Sequence, residues 1–137
     1  MSVTDSTYGD ALRNAFSAGK TLGMQGNWTS KGINGDKLMY WGESHDTYIA
    51  SIGSDANVYK TDQNVVDRAY AVAAAREGAT SLYFSRPYGT EKYDIWTGHK
   101  GSTHFKSAEV SAVNHFHNAM IGKPDSYYSD GSCCVVT

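Results

Sequence analysis

Two short apolar segments, separated by a stretch that favours a helix, constrain the fold of this 137-residue chain most strongly. Segment 38–41 is apolar without clean alternation, 81–84 is a second apolar run, and both end abruptly in polar residues. Such runs are typical of strands that are buried on both faces of a parallel sheet. Residues 63–76, which Thr61 or Asp62 can cap, are amphipathic. The three segments therefore predict a β-α-β unit with a right-handed crossover.

Further amphipathic segments are predicted on either side of this unit. A first helix is expected over about residues 8–18, with Ser6 or Thr7 as its N-cap and Gly19 at its end. Another is expected over about residues 107–120, where apolar residues recur at helical spacing. The pattern as a whole alternates helix and strand, which favours an α/β fold.

The predicted elements are too few to close a core of their own. Two parallel strands leave both faces and both edges of a sheet to be covered. Leu, Ile, Val and Phe together make up only 22 of the 137 residues, and the stretches 20–36, 47–60 and 88–106 are predicted to be long loops. Residues 133–136 predict the start of a further strand. We therefore expect this chain to be part of a larger domain.

Composition excludes several classes of partner. Twelve basic and fourteen acidic residues give a net charge of −2, which argues against nucleic acid and against an anionic membrane surface. No apolar run is long enough to cross a membrane, and residues 1–5 do not read as a signal peptide. The adjacent Cys133 and Cys134 are either a strained vicinal disulfide or, as we favour, two small buried apolar residues.

The main candidate site follows the first predicted strand. Glu43, His45 and Asp46 come directly after it, and Arg86 follows the second strand. Parallel strands end at the same edge of a sheet, where α/β proteins build their sites from the loops that follow. A solvent-exposed strand end whose carboxylate caps the next helix would show the same pattern. The residue pattern alone therefore leaves two interpretations open, a functional site and a purely structural strand end. Arg86 can pair with Glu43 or Asp46, or act only as a structural cation.

Several segments, in order along nearly the whole chain, resemble the α-amylase family (glycoside hydrolase family 13), in particular bacterial members of the Bacillus subtilis type. The segment around Asp46 is similar to the region of the family's third catalytic carboxylate. The others are similar to the segment after the sixth barrel strand and to the last strands and helices of the barrel. The matching segments are VTDSTYG at 3–9, LMYWGESHDTY at 38–48, DRAYAVAAAR at 67–76, LYFSRP at 82–87 and AVNHFHNAM at 112–120.

This resemblance implies an architecture. Residues 1–125 would be the C-terminal part of a (β/α)8 barrel, holding strands seven and eight with their flanking helices. Residues 126–137 would begin a C-terminal β-domain, a β-sandwich in this family. A whole barrel needs about 250 residues, so the chain would hold only part of one.

The resemblance also implies a function, the retaining hydrolysis of α-1,4-glucosidic bonds in starch or maltooligosaccharides by an extracellular parent. Asp46 matches the third carboxylate, and His45 matches its sugar-binding neighbour. Tyr48 and Trp96 complete the expected sugar contacts, and Glu43 and Arg86 are expected to support the site. The nucleophile and the acid/base would come from strands outside this chain, so the chain alone is expected to be inactive.

The sequence also gives expectations about metal binding and about alternative functions. We assign no metal to these residues, and the resemblance allows calcium in the full-length parent. Two alternatives stay open: a family member that transfers glucosyl units instead of hydrolysing them, and a non-catalytic α/β module that binds glucans, in part through Trp28 and Trp96.

Overall fold

The computed structural model of the chain describes residues 3–21, 32–52, 61–78, 80–88, 98 and 100–137, with side chains at 49–52 excluded. The helices are α1 (Ser6–Ser17), α2 (His45–Ile52), α3 (Gln63–Ala75) and α4 (Ala108–Met120). The strands are β1 (Val3–Thr4), β2 (Leu38–Trp41), β3 (Thr80–Leu82), β4 (Tyr127–Ser129) and β5 (Cys134–Val136), and short 3-10 turns span Gly35–Lys37 and His104–Lys106. None of the helices in these ranges is long and apolar enough to span a membrane.

The main sheet is three-stranded in the order β1-β2-β3, and both pairings are parallel. Strand β2 matches its predicted bounds, and its parallel pairing with β3 confirms the predicted β-α-β unit. Strand β3 covers Thr80–Leu82 rather than 81–84. The sequence interpretation missed β1, because two residues cannot display a periodicity. The described fold is thus an α/β piece with one more parallel strand than predicted.

Helix α1 begins earlier than expected, and its cap is a different residue. Asp5 is the N-cap, with its side chain accepting a hydrogen bond from the Tyr8 backbone N–H at 3.1 Å. Ser6 and Thr7, the predicted caps, are the first two helical residues. A carboxylate at this position satisfies one of the free N–H groups at the helix start. Gly19 follows the helix with φ of +68°, as a glycine at the end of a helix commonly does.

Residues 47–60 were predicted to be a loop, and this prediction is wrong for their first part. Helix α2 begins at His45 and continues to Ile52. Ser44 and Thr47 cap its start reciprocally, since the Ser44 N–H donates to Thr47 Oγ1 at 2.8 Å and the Thr47 N–H to Ser44 Oγ at 3.3 Å. The prediction for 53–60 lies outside the described residues.

The predicted loop 88–106 also contains local structure where it is described. Pro87 and Gly101 form an antiparallel bridge, and a 3-10 turn spans His104–Lys106. The Tyr88 N–H donates to the Lys100 carbonyl oxygen and the Ser102 N–H to the Arg86 carbonyl oxygen, both at 2.8 Å. These two hydrogen bonds join the two ends of this segment. Its two ends therefore lie side by side at the end of β3.

The C-terminal residues form a hairpin in which β4 pairs antiparallel with β5. Arg76 ties it to α3, with Nε donating to Asp125 Oδ2 at 2.5 Å and its guanidinium carbon 5.6 Å from the Tyr127 ring centroid. Burial raises the pKa of Tyr127 to about 12. Cys133 is exposed and Cys134 half-buried, and both are free thiols, so the prediction of two buried residues is wrong for Cys133. The predicted boundary between residues 125 and 126 stays a prediction.

The core lies on one face of the sheet. Helices α1 and α3 cover this face, and α4 packs against α3. Two buried clusters result, one formed by β2, α1, α3 and Tyr127 of the hairpin and one between α3 and α4. They consist of Tyr8, Leu12, Leu38, Tyr40, Ala69, Val72, Ala73 and Tyr127, and of Tyr70, Ala74 and Val110.

A close approach between α1 and the end of β2 gives a testable prediction. A Cβ added to Gly9 would overlap the carbonyl oxygen of Trp41. We expect Gly9→Ala to destabilise the chain by about 1–3 kcal/mol, as overpacking does, although alanine is the better helix former. Urea unfolding followed by circular dichroism measures the change. Gly101→Ala is the control, since nothing lies within 4 Å of its added Cβ. A Gly9→Ala chain that gains stability would contradict the packing.

Candidate functional site

The C-terminal ends of β2 and β3 carry the residues that the sequence singles out. Strand β2 is followed by Gly42, Glu43 and Ser44 and then by α2, while β3 is followed by 83–86. Because the two strands are parallel neighbours, these segments meet at one edge of the sheet. We call Glu43, His45, Asp46, Tyr48 and Arg86 the strand-end site.

A buried ion pair connects the two strand ends. Arg86 donates from Nε to Glu43 Oε2 at 2.7 Å and from Nη2 to Glu43 Oε1 at 2.8 Å, and both residues are buried. The same Nη2 also donates to the Thr61 carbonyl oxygen at 2.8 Å, immediately before α3. This two-pronged geometry is the strong form of an arginine–carboxylate contact. The pair therefore fixes β2, β3 and the start of α3 relative to one another.

Tyr48 lies against this pair in the interior. Its ring centroid is 5.6 Å from the guanidinium carbon of Arg86 and 5.7 Å from the ring of Phe84. Only 1% of Tyr48 is exposed, so in this structure its ring packs the ion pair rather than facing solvent. A contact between Tyr48 and a sugar stays a prediction.

His45 and Asp46 are the solvent-facing members of the strand-end site. Their side chains are 72% and 84% exposed, and His45 Nε2 lies 3.2 Å from Asp46 Oδ1. They form the first turn of α2, where an acidic side chain interacts favourably with the helix dipole. An ionised carboxylate accepts hydrogen bonds from neighbouring hydroxyl groups, and an imidazole N–H donates to them.

The backbone that leads into the strand-end site is packed tightly. A Cβ on Gly42 would lie 2.9 Å from both the Tyr70 nitrogen and the Val66 carbonyl oxygen, so α3 runs directly against this point. The buried Arg13 of α1 donates to the Gly42 carbonyl oxygen. Sequence reasoning missed Arg13 and Thr61 as supports of the strand-end site. No sequence signal could have found them, since both act on residues 25 or more positions away.

A second polar cluster stands between α3 and the segment after β3. Asp67 accepts from the Tyr83 hydroxyl at 2.9 Å and from Gln63 Nε2 at 3.0 Å, and its other oxygen lies 2.7 Å from His104 Nε2. Burial raises the pKa of Tyr83, and the neighbouring Asp67 carboxylate raises it further. This cluster holds the segment after β3, which carries Arg86, against α3.

The remaining sequence candidates are distributed elsewhere. His117 Nδ1 lies 2.6 Å from the Ala74 carbonyl oxygen at the end of α3, and His115 is exposed. Trp28 and Trp96 lie outside the described residues. Within the ranges that the structure covers, no three His, Cys, Asp or Glu side chains come together as a metal site.

A groove of about 600 Å³ lies away from the strand-end site. It is formed by the C-terminal parts of α1 and α3, by Phe116 of α4 and by the hairpin, and Glu43, His45 and Asp46 do not line it.

Comparisons with known proteins point to one enzyme family, although no protein-family model matches the chain. An α-amylase of Clostridium acetobutylicum is 32% identical over 123 residues, which cover 90% of this chain and 14% of that protein. An α-amylase of Butyrivibrio fibrisolvens is 33% identical over 142 residues, which cover 93% of this chain and 14% of that protein. The chain thus spans about one seventh of the length of these curated relatives.

A solved structure has a similar fold. It is the crystal structure of a mutant α-amylase I from Eisenia fetida in complex with maltohexaose. The match has a TM-score of 0.66 and 15% identity, and it covers 98% of this chain and 33% of that one. Nearly all of this α/β fold therefore recurs inside a larger α-amylase structure.

Proposed function

This chain is a homologue of one segment of the α-amylases, and on that premise we propose that it supplies part of the substrate-binding edge of a retaining α-glucan hydrolase. In this proposal β2 and β3 are strands seven and eight of a (β/α)8 barrel, and the substrate is starch or a maltooligosaccharide. The observation that carries the proposal is the exposed His45–Asp46 pair in the first turn of α2, which three residues separate from the end of β2, the parallel neighbour of β3. We expect the full-length parent to act outside the cell.

Asp46 is proposed to bind the hydroxyl groups of the sugar whose bond is broken. Its carboxylate is exposed and its one described ion-pair partner is His45, so its oxygens can accept hydrogen bonds from a ligand. Positive charge develops on the sugar in an oxocarbenium-like transition state. The electrostatic attraction between a fixed carboxylate and the sugar becomes stronger as that charge develops, and so do the hydrogen bonds that the carboxylate accepts. Both effects stabilise the transition state and lower the barrier.

His45 is proposed to donate to a hydroxyl of the same sugar. The buried residues behind it, Glu43, Tyr48 and Arg86, are proposed to hold the first turn of α2 in place. This positioning has catalytic value because a small misplacement of a catalytic group is costly. Trp96, which lies outside the described residues, is proposed as a further sugar contact because an aromatic ring in the predicted loop after β3 can stack on a sugar face.

The remaining catalytic groups are proposed to lie in other parts of the parent barrel. A retaining glycosidase needs a nucleophile and an acid/base about 5–5.5 Å apart. Glu43 is the carboxylate closest to Asp46 in the sequence, but it is buried and both of its oxygens are bound to Arg86. Glu43 therefore does not supply either role.

The isolated chain is accordingly expected to hydrolyse nothing. Purified chain incubated with soluble starch and with maltoheptaose should release no reducing ends above the buffer blank. Hydrolysis that Asp46→Asn abolishes would contradict the proposed division of the active site. Tight binding of maltoheptaose by calorimetry without hydrolysis would favour the alternative of a glucan-binding module.

A chimera that restores a full-length enzyme separates hydrolysis from glucosyl transfer. In it, this chain replaces the matching segment of the Clostridium acetobutylicum α-amylase. Chromatography of the products from maltoheptaose should show shorter linear oligosaccharides. Longer or cyclic products would instead favour a transferase.

A further inference from the structure

Arg86 lies in a segment that leaves β3 and returns alongside itself. We call residues 83–88 the outgoing leg and residues 100–104 the returning leg of this segment. The Ser102 N–H donates to the Arg86 carbonyl oxygen at 2.8 Å, and the Ser85 hydroxyl donates to the Ser102 carbonyl oxygen at 2.5 Å. Because the two legs are hydrogen-bonded to each other at Arg86, a displacement of either leg also displaces the Arg86 backbone.

One carboxylate of α3 binds both legs. Oδ1 of Asp67 accepts from the Tyr83 hydroxyl of the outgoing leg at 2.9 Å, and Oδ2 lies 2.7 Å from Nε2 of His104 in the returning leg. An ionised carboxylate only accepts hydrogen bonds, so this nitrogen of His104 carries the hydrogen. Gln63 Nε2 donates to Asp67 Oδ1 and to the Tyr83 hydroxyl, each at 3.0 Å. Asp67 therefore anchors the two legs to α3 at a single point.

The contacts of Asp67 are largely shielded from water. Only 17% of the Asp67 side chain is exposed, and the Tyr83 ring packs edge-on against the buried Tyr70 with 5.1 Å between the ring centroids. Burial raises the pKa of Tyr83, so its hydroxyl keeps its proton and stays a donor at neutral pH. Without the carboxylate these donors would lose their acceptor in a place that water reaches poorly. Both legs would then move to regain hydrogen bonds.

The two legs connect Asp67 to the strand-end site through Arg86. Tyr83 precedes Arg86 by three residues, and Ser102, which is bonded to the Arg86 backbone, precedes the second ligand of Asp67 by two residues. The Arg86 guanidinium binds both carboxylate oxygens of Glu43. Glu43 lies two residues before α2, so a movement of Arg86 either breaks the buried pair or carries the start of α2 with it.

We propose that Asp67 is a positioning residue for the strand-end site. It holds Arg86 in place and, through the Glu43–Arg86 pair, the helical turn that carries His45 and Asp46. Asp67 acts without touching the sugar, and its effect on the reaction comes from the accuracy with which Asp46 is placed. This inference rests on the proposed function, because Asp67 has a catalytic effect only if Asp46 acts on a substrate.

Two substitutions in the active chimera test this role. Asp67→Leu should lower kcat on maltoheptaose by about tenfold or more, with a smaller change in KM, because misplacing a transition-state contact slows the chemical step. Asp67→Asn should keep kcat within about threefold of the parent chimera. Its amide oxygen accepts from Tyr83, and its amide N–H donates to His104 when the imidazole carries its hydrogen on Nδ1. Unchanged kcat in Asp67→Leu overturns the proposal.

Asp125→Leu is the matched control. The Asp125 side chain is also 17% exposed, and it accepts from Arg76 Nε at 2.5 Å and from the Glu77 N–H at 2.8 Å. These contacts lie beyond the C-terminal end of α3 and not beside the strand-end site. Both leucine variants should lose stability in urea unfolding, but only Asp67→Leu should lose kcat. Equal losses of kcat in the two variants would assign Asp67 a merely structural role and overturn the proposal.

A double-mutant cycle tests whether Asp67 acts through Arg86. In a chimera that carries Glu43→Gln and Arg86→Met, the connection to α2 is already lost, so adding Asp67→Leu should lower kcat by no more than about twofold. A further loss as large as in the parent chimera overturns the proposed route. If Asp46→Asn inactivates the chimera and Asp67→Leu does not slow it, this inference fails and the proposed function stands.

Hydrogen exchange in the chain itself gives a readout that needs no activity. The Tyr48 N–H donates to the Ser44 carbonyl oxygen at 3.0 Å in the first turn of α2. Its exchange should be severalfold faster in Asp67→Leu than in Asp125→Leu, because local opening of this turn becomes easier when Arg86 is displaced. Equal exchange rates in the two variants would show that Asp67 does not hold this turn and overturn the proposal.

Discussion

Replacing Asp46 by asparagine is expected to reduce starch hydrolysis by about a hundred- to a thousandfold in the active chimera, the range typical of losing one electrostatic contact to a transition state. The substitution keeps the size of the side chain and one hydrogen-bond acceptor, but it removes the negative charge that stabilises the developing positive charge. The folded state should be unaffected, because 84% of the Asp46 side chain is exposed. Steady-state kinetics on maltoheptaose would show the loss mainly in kcat, and binding of maltoheptaose to the chimera should largely survive.

Asp36→Asn is the matched control for this prediction. Asp36 is also an exposed aspartate in a first helical turn, but it stands before β2, at the opposite end of the same strand. Its replacement should leave kcat unchanged. Activity of the Asp46→Asn chimera within about threefold of the parent chimera would refute the role given to Asp46.

Replacing Arg86 by methionine is expected to destabilise the chain by about 3–5 kcal/mol, the usual cost of leaving one member of a buried ion pair without its partner. The Glu43 carboxylate would lose both of its Arg86 contacts, and the Thr61 carbonyl would lose one. Tyr48 would also lose the cation beside its ring. Urea unfolding monitored by circular dichroism gives the change in unfolding free energy.

Two further variants test whether the loss of stability comes from the unpaired Glu43 charge. Glu43→Gln combined with Arg86→Met removes the unpaired charge, so the double variant should recover much of the lost stability. Arg68→Met is the control, because Arg68 is exposed, and its cost should stay within about 0.5 kcal/mol. If Arg86→Met costs no more than Arg68→Met, the ion pair does not hold the strand ends together.

The local sequence pattern was sufficient to predict a helix or strand where the segment is long or strongly apolar. The helical periodicity of α1, α3 and α4 and the apolar run of β2 predicted these elements to within a few residues. Polar residues after each apolar run also marked the strand ends that carry Glu43 and Arg86. The failures were short or polar elements. Strand β1 has two residues, and α2 begins at a reciprocal Ser44–Thr47 cap within a stretch whose later residues resemble a loop.

The amino-acid sequence by itself determined the three longer helices and strand β2, and that their order suits a parallel sheet, because hydrophobic spacing acts over a few neighbouring positions. Only the tertiary structure decided which side chains at the strand ends are buried and which face solvent. Glu43, Asp46 and Arg86 are all charged and give equal local signals, yet two of them pair inside and one remains exposed. That choice depends on contacts between residues 43 positions apart, which no local pattern encodes.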